Sequence, residues 1–195
     1  MLDTPTKALG LGALLTLVVL LAWVLGAGVD GLGFLSFMLR WLHVFAGMIW
    51  VGLIWFVNFI QIVALAEADE TGRSAILKRV APRVATAFRH ASHVTILTGI
   101  LLLITTGYLL DRWIFTSAVF IPPLRNVMLW GGTAGGLIMW AFVHFAVWPA
   151  FQVVLSDAAP AAKAAARARV QTYARLNLAL SLPVTFVMVA AAHLY

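Results

Sequence analysis

Five runs of apolar residues, 8–29, 34–66, 91–110, 124–155 and 176–194, take up most of a chain of 195 residues. A helix rising 1.5 Å per residue needs about 20 apolar residues to cross roughly 30 Å of hydrocarbon, so each run predicts a transmembrane helix. The composition agrees: 63% of residues are hydrophobic and only 10% charged, and the mean hydropathy of +1.00 lies beyond that of soluble domains. A water-soluble enzyme and a disordered regulator are thereby excluded. The expected fold is all-α, a polytopic bundle of about five transmembrane helices forming a single domain over residues 1–195. The first run follows Lys7 and is read as a retained helix, because it is longer than a signal-peptide core and Ala27-Gly28-Val29 is a weak cleavage site. The second and fourth runs exceed the minimum length and are expected to tilt or protrude.

The charges sort by side. Of thirteen Lys and Arg residues, ten (Lys7, Arg73, Lys78, Arg79, Arg83, Arg89, Lys163, Arg167, Arg169 and Arg175) fall on alternate connections, and the opposite side holds Arg40, Arg112 and Arg125. The positive-inside rule then places the N-terminus in the cytoplasm and Tyr195 outside. The net charge of +6 is thus mostly topology. The basic residues flank membrane ends without an interleaved aromatic surface, so nucleic acid is excluded as a partner. Two cytoplasmic connections are expected to be helical. In 74–88, Ile76, Leu77, Val80 and Val84 recur at helical spacing, so that stretch either lies at the interface or extends the third helix. The alanine-rich 159–168 follows Asp157 as a candidate cap.

Ionisable groups inside a membrane helix need a partner or a use, and four of the five histidines lie in or beside the spans. At about 100° per residue, Arg40, His43, Gly47, Trp50, Ile54, Asn58 and Gln61 share one face of the second span. Gly47, one turn from His43, leaves room for either a flat macrocycle or a close helix crossing. On the fourth span Asn126, Trp130, Thr133, Leu137, Trp140, His144, Trp148 and Phe151 form a stripe, and Gly131, Gly132, Gly135 and Gly136 permit close approach on a neighbouring face. In the third span His93 lies on a face with Ile100, Ile104 and Asp111. On the fifth, His193 is grouped with Arg175, Leu182, Phe186 and Val189, and Pro183 is expected to kink the helix.

Counting from span ends sorts the histidines into an outer pair, His43 with His193, and an inner pair, His93 with His144, for which His90 is a substitute partner. With no cysteine in the chain, thiolate zinc, iron–sulfur clusters and covalently attached haem are excluded. Facing imidazoles are the usual axial ligands of b-type haem, so one or two haems b are expected, with His43, His193, His93 and His144 as metal ligands. Copper or another metal ranks below haem. Arg40, Arg125, Arg83 and Arg89 lie at depths suited to propionates.

Several segments together resemble a known family. They are Trp41-Leu42-His43-Val44 through Gly47, Trp50, Gly52 and Asn58-Phe59-Ile60-Gln61, then Val80-Ala81-Pro82-Arg83, and finally Arg175-Leu176-Asn177 through Ser181-Leu182-Pro183 to His193. The chain from Phe34 to Tyr195 is similar to the membrane domain of the bacterial urate hydroxylase family. That resemblance implies a bacterial cytoplasmic membrane location and oxidation of urate to 5-hydroxyisourate, with electrons passing to a C-terminal cytochrome c domain. The present sequence stops at Tyr195 without C-x-x-C-H, so a separate cytochrome is the expected acceptor, or the chain serves a different redox reaction or assembly.

The leading expectation is therefore a membrane redox protein passing electrons between a small oxidisable substrate or the quinone pool and a partner cytochrome. Arg40, Asn58 and Gln61 are the groups available to hydrogen-bond a purine-like anion; otherwise Asn58 and Gln61 satisfy each other or a neighbouring backbone. The competing reading is a non-catalytic subunit of a respiratory or photosynthetic membrane complex, its histidines buried hydrogen-bond partners. A transporter ranks last, since five spans carry no apparent inverted repeat.

Overall fold

The computed structural model describes residues 4–108 and 124–193. Every regular element among them is helical: α1 (Pro5–Ala27), α2 (Gly31–Phe56), a π-helical turn Val57–Gln61, α3 (Ile62–Glu67), α4 (Glu70–Ala75), a π turn Ile76–Val80, α5 (Ala81–Thr105), α6 (Leu124–Ala141), a π turn Phe142–Val147, α7 (Trp148–Leu155) and α8 (Pro160–His193). These join into five helices long and apolar enough to cross a membrane, Pro5–Ala27, Gly31–Glu67, Glu70–Thr105, Leu124–Leu155 and Pro160–His193. The expected positions Leu110, Asp111, Arg112, Leu194 and Tyr195 lie outside the described residues.

Local chemistry sets the boundaries. The Thr4 hydroxyl accepts from the Lys7 N–H at 3.3 Å and Pro5 opens α1, because proline lacks the N–H that a first turn leaves unused anyway. Gly28, at φ +67° and ψ 149°, takes a positive-φ conformation that glycine adopts without a Cβ clash, and the helix stops there. Asp30 accepts from the Gly33 N–H at 2.7 Å, and Asp69 from the Gly72 N–H at 2.7 Å, each satisfying an orphan donor at a helix start.

Two differences from the sequence expectations share a cause. The third long helix begins at Glu70 rather than residue 91, and the fifth at Pro160 rather than 176. Between 74 and 90, and between 160 and 176, Pro82 is the one strong helix breaker, and the π turn Ile76–Val80 directly before it lets the helix run through. The amphipathic 74–88 segment thus extends the third helix, and the alanine-rich segment is continuous with the fifth. Pro160 starts α8, so Asp157 falls in the preceding turn and does not cap it.

The chain divides into two compact units, Met1–Met38 and Leu39–Tyr195. In the first, Trp23 packs on Phe34 and Phe37 with ring centroids 6.1 and 5.0 Å apart, and α1 buries none of its residues. The second unit holds the core. Trp50 and Ile54 of α2, Ala91 of α5, Met139 of α6 and Val143 form one buried cluster, and Ala150, Val154 and Ala166 form another.

Glycine decides how α6 meets α8. A Cβ on Gly135 would lie 2.5 Å from a Val184 methyl, and one on Gly132 would lie 3.0 Å from Met188. The buried face of the fourth long helix therefore runs through Gly132, Gly136, Met139, Val143, Ala146, Ala150 and Val154. Of the expected stripe, Asn126 and Phe151 are buried at its two ends, whereas Leu137 in its middle stays 41% exposed and Trp130, Thr133, Trp140, His144 and Trp148 are only partly buried. Small residues win because they let backbones approach within van der Waals reach.

Two π turns have identifiable origins. Pro149 cannot donate to the Phe145 carbonyl, and the Arg169 guanidinium reaches that oxygen at 3.5 Å. In the second long helix the Asn58 side-chain amide donates to the Ile54 carbonyl at 2.9 Å, the acceptor that its own backbone N–H would use in a regular α-helix.

Candidate functional site

His43 is built into a seat on α5. Its Nδ1 donates to the Thr95 carbonyl at 2.8 Å. The Thr98 hydroxyl, which donates to the Val94 carbonyl, lies 3.3 Å from the same nitrogen as a second acceptor. A carbonyl can only accept, so Nδ1 carries a proton, and in the neutral form of the ring the lone pair is then on Nε2. Gly99 completes the seat: a Cβ there would come within 3.0 Å of His43 Cε1 and 3.2 Å of Nδ1. Ser92, Thr95 and Thr98 are all buried on α5 at i, i+3 and i+6, one helical face. That polar face is the sequence signal by which the seat could have been found.

The inner histidines are also brought together, but with each other. His144 Nδ1 donates to the Trp140 carbonyl at 2.8 Å, which leaves its Nε2 an acceptor. His93 Nδ1 donates to the Arg89 carbonyl at 2.9 Å and lies 3.2 Å from His144 Nε2. The two rings meet edge to face with centroids 4.2 Å apart. Trp140 lies 4.6 Å from the His144 ring, and the Arg89 guanidinium sits over Trp148 at 4.6 Å. In this arrangement the imidazoles abut, and a macrocycle between them requires the rings to part, because imidazole–metal bonds alone need about 2 Å on each side.

His193 is exposed, on a face whose other members, Leu182, Phe186 and Val189, are 61, 67 and 60% exposed. That face looks out of the chain. Among the described residues no hydrogen bond or ring contact joins His193 to His43. His90 is likewise exposed. Residues 93 and 95 are about 200° apart around α5, so His93 and the His43 seat lie on opposite sides of that helix.

The remaining expected residues are placed as follows. Gly47 sits at a helix crossing, where a Cβ would meet the Thr95 methyl at an ordinary 3.8 Å. Arg40 and Arg83 are exposed, and neither makes a hydrogen bond or ion pair among the described residues. Arg125 donates to the Ala191 carbonyl at 3.2 Å and stacks over Tyr108 at 5.2 Å. Asn58 is committed to backbone, donating to Ile54 and, at 3.1 Å, to the Ala174 carbonyl of α8. Eighteen residues of continuous helix separate Arg40 from Asn58, about 27 Å at 1.5 Å per residue. The two cannot grip one small anion.

Haem is the group implied by the sequence reading, and among its expected ligands His43 is the one held by a backbone carbonyl of another helix. The His43 ring has its tautomer fixed by a backbone acceptor on another helix, the support that ligating histidines characteristically receive. Neither His193 nor the abutting His93 and His144 presents a second imidazole opposite it. Among the described residues no group of three or more His, Asp or Glu gathers as a candidate metal centre. No family model matches the chain, and comparison with curated proteins and with solved structures gives no match either.

Proposed function

We propose that this chain is a multi-pass membrane redox protein that binds b-type haem through His43, with its N-terminus in the cytoplasm. The observation that carries the reading is the cross-helix bond from His43 Nδ1 to the Thr95 carbonyl, which orients the ring and leaves Nε2 as the ligating atom. The absence of cysteine is compatible with a haem held by histidine alone. When bound, haem supplies one-electron chemistry. The protein's part is to hold the imidazole: Thr95 fixes its proton, Gly99 leaves it space, and the apolar faces of α2 and α5 keep water away.

A separate cytochrome or the quinone pool is the proposed electron partner, and the bacterial cytoplasmic membrane the proposed location. Urate as substrate rests on the motif resemblance alone. The distance between Arg40 and Asn58 removes the joint anion site, so recognition of a purine would fall to residues near His43. Urate consumption by membranes containing the chain, lost in His43→Ala, tests that narrower proposal.

The central test is the absorption spectrum of purified full-length protein, oxidised and dithionite-reduced. A Soret band that disappears in His43→Ala and persists in His193→Ala is the expected result. A blank spectrum in protein made with ample haem supply overturns the proposal. One observation favours a second reading, a cofactor-free subunit of a larger membrane complex: His93 and His144 satisfy each other without any metal. A blank spectrum together with co-purification of a redox complex would establish it.

A further inference from the structure

Toward the turn at residues 68–69, the bundle holds a partly open cavity of about 70 Å³ that none of the histidines lines. Its walls come from α2 and the π turn after it (Ile54, Asn58, Gln61), from α5 (Phe88), and from the fourth and fifth long helices (Phe151, Asn177). Asn177 is 1% exposed, and both its amide nitrogen and its amide oxygen lack a hydrogen-bond partner; the Gln61 side-chain oxygen lacks one too. Buried polar atoms are almost always paired, because leaving one unsatisfied costs about 1–3 kcal/mol. Three such atoms around one cavity identify it as a site with an occupant.

The chemistry of that occupant follows from charge, size and count. No charged residue lines the cavity, so an ion would surrender its hydration with nothing to replace it. An apolar guest would leave the amides unpaired, and a benzene-sized ring needs a cavity of about 150 Å³. The unpartnered atoms are one donor nitrogen and two acceptor oxygens, so the occupant must both donate and accept. Water does both, asks for two to four polar partners, and takes about 30 Å³ per molecule.

We propose that the cavity is an internal hydration site holding about two ordered waters that bridge Gln61 of the second long helix to Asn177 of the fifth. The bridge ties these helices where their side chains do not bond each other directly, and it places exchangeable water protons inside the bundle. Two π turns, Val57–Gln61 and Phe142–Val147, contribute lining residues. The site stands independently of haem binding.

Radiolytic hydroxyl-radical footprinting of the full chain in nanodiscs tests this, since bound water generates the radical in place. Phe151, 8% exposed and lining the cavity, should be oxidised well above Leu103, which is 7% exposed, has no polar atom in its side chain and lies outside the lining, after correction for intrinsic reactivity. In Asn177→Leu the Phe151 yield should fall several-fold and that of Leu103 stay constant. Phe151 labelling no greater than that of Leu103 in the unmodified protein overturns the proposal. Thermal unfolding gives a second readout: Asn177→Leu lowers the midpoint if the amide is hydrated. It raises the midpoint if the cavity is dry, because an unpaired polar group is then removed, and that result also overturns the proposal.

Discussion

Replacing Gly99 with alanine probes the seat of His43 with a single methyl. The added Cβ would stand 3.0 Å from Cε1 and 3.2 Å from Nδ1 of the imidazole, against an ordinary carbon contact of about 3.5–4.0 Å. The ring must retreat by roughly 0.5–1 Å, yet it is held at 2.8 Å to the Thr95 carbonyl. A retreat of that size stretches the bond beyond useful length, forfeiting about 1 kcal/mol, and overpacking adds about 1–3 kcal/mol. Alanine returns about 1 kcal/mol through its higher helix propensity. The net expectation is a destabilisation of about 1–3 kcal/mol, within the usual range for a strained interior substitution.

The assay is a double-mutant cycle of reversible unfolding in micelles, with His43→Ala as the second substitution. Once the imidazole is gone, the methyl at position 99 meets open space and only the propensity gain remains, so Gly99→Ala becomes neutral or stabilising. The two substitutions should therefore show a coupling of about 2 kcal/mol or more, typical of residues in direct contact. Equal cost of Gly99→Ala in both backgrounds would refute the seat, and with it the argument that His43 is pre-oriented. If haem binds, Gly99→Ala should also shift the Soret maximum, whereas Gly47→Ala, with its nearest neighbour at 3.8 Å, should leave the spectrum unchanged.

Other substitutions test the surrounding framework. Gly135→Ala drives a methyl into the stiff, β-branched Val184 and should cost about 1–3 kcal/mol, read as a lowered unfolding midpoint; Gly131→Ala, facing open space, should be neutral or slightly stabilising. Asn58→Leu leaves the Ala174 carbonyl without the Asn58 amide and should destabilise by about 1–3 kcal/mol. Because its side chain also holds the Ile54 carbonyl, hydrogen exchange at residues 57–61 should change most. His93→Ala removes the donor to His144 Nε2 and should lower stability without abolishing a His43-dependent Soret band; loss of the band would instead assign His93 to the haem.

The long helices were legible because about 20 apolar residues in a row admit few alternatives, and the fourth run was recovered with its expected bounds, Leu124–Leu155. The histidine levels were not legible, for a reason that lies in the helix starts. Counting from residue 91 puts His93 at one end of the third span. The continuous helix begins at Glu70, so His93 lies deep within it, and His43, opposite Thr95 to Gly99, sits only about one to two turns farther along. The apparent outer and inner layers collapse towards one region of α5, on opposite sides of it. Helix rotation was equally hidden. Aromatic stripes and glycine faces both satisfy a 3.6-residue period, and the choice between them is made by the partner helix, which periodicity does not contain.

Polar side chains in this bundle follow one logic, and it separates functional candidates from structural residues. Asn58 spends its amide on two backbone carbonyls, His93 and His144 spend theirs on local carbonyls and on each other, and Arg125 caps the end of α8 through Ala191. These bonds are all made within the chain; His93 Nε2 has no partner among the described residues, but that side chain lies exposed, away from the core. Two places differ. The His43 seat consumes one ring nitrogen through a long-range contact and leaves the other available, and the Asn177 cavity leaves three polar atoms without partners. The buried indole N–H groups of Trp50 and Trp140 also lack partners, but only at the Asn177 cavity do several such atoms line one space, so ligand chemistry in this protein is to be sought there and at His43 before any other.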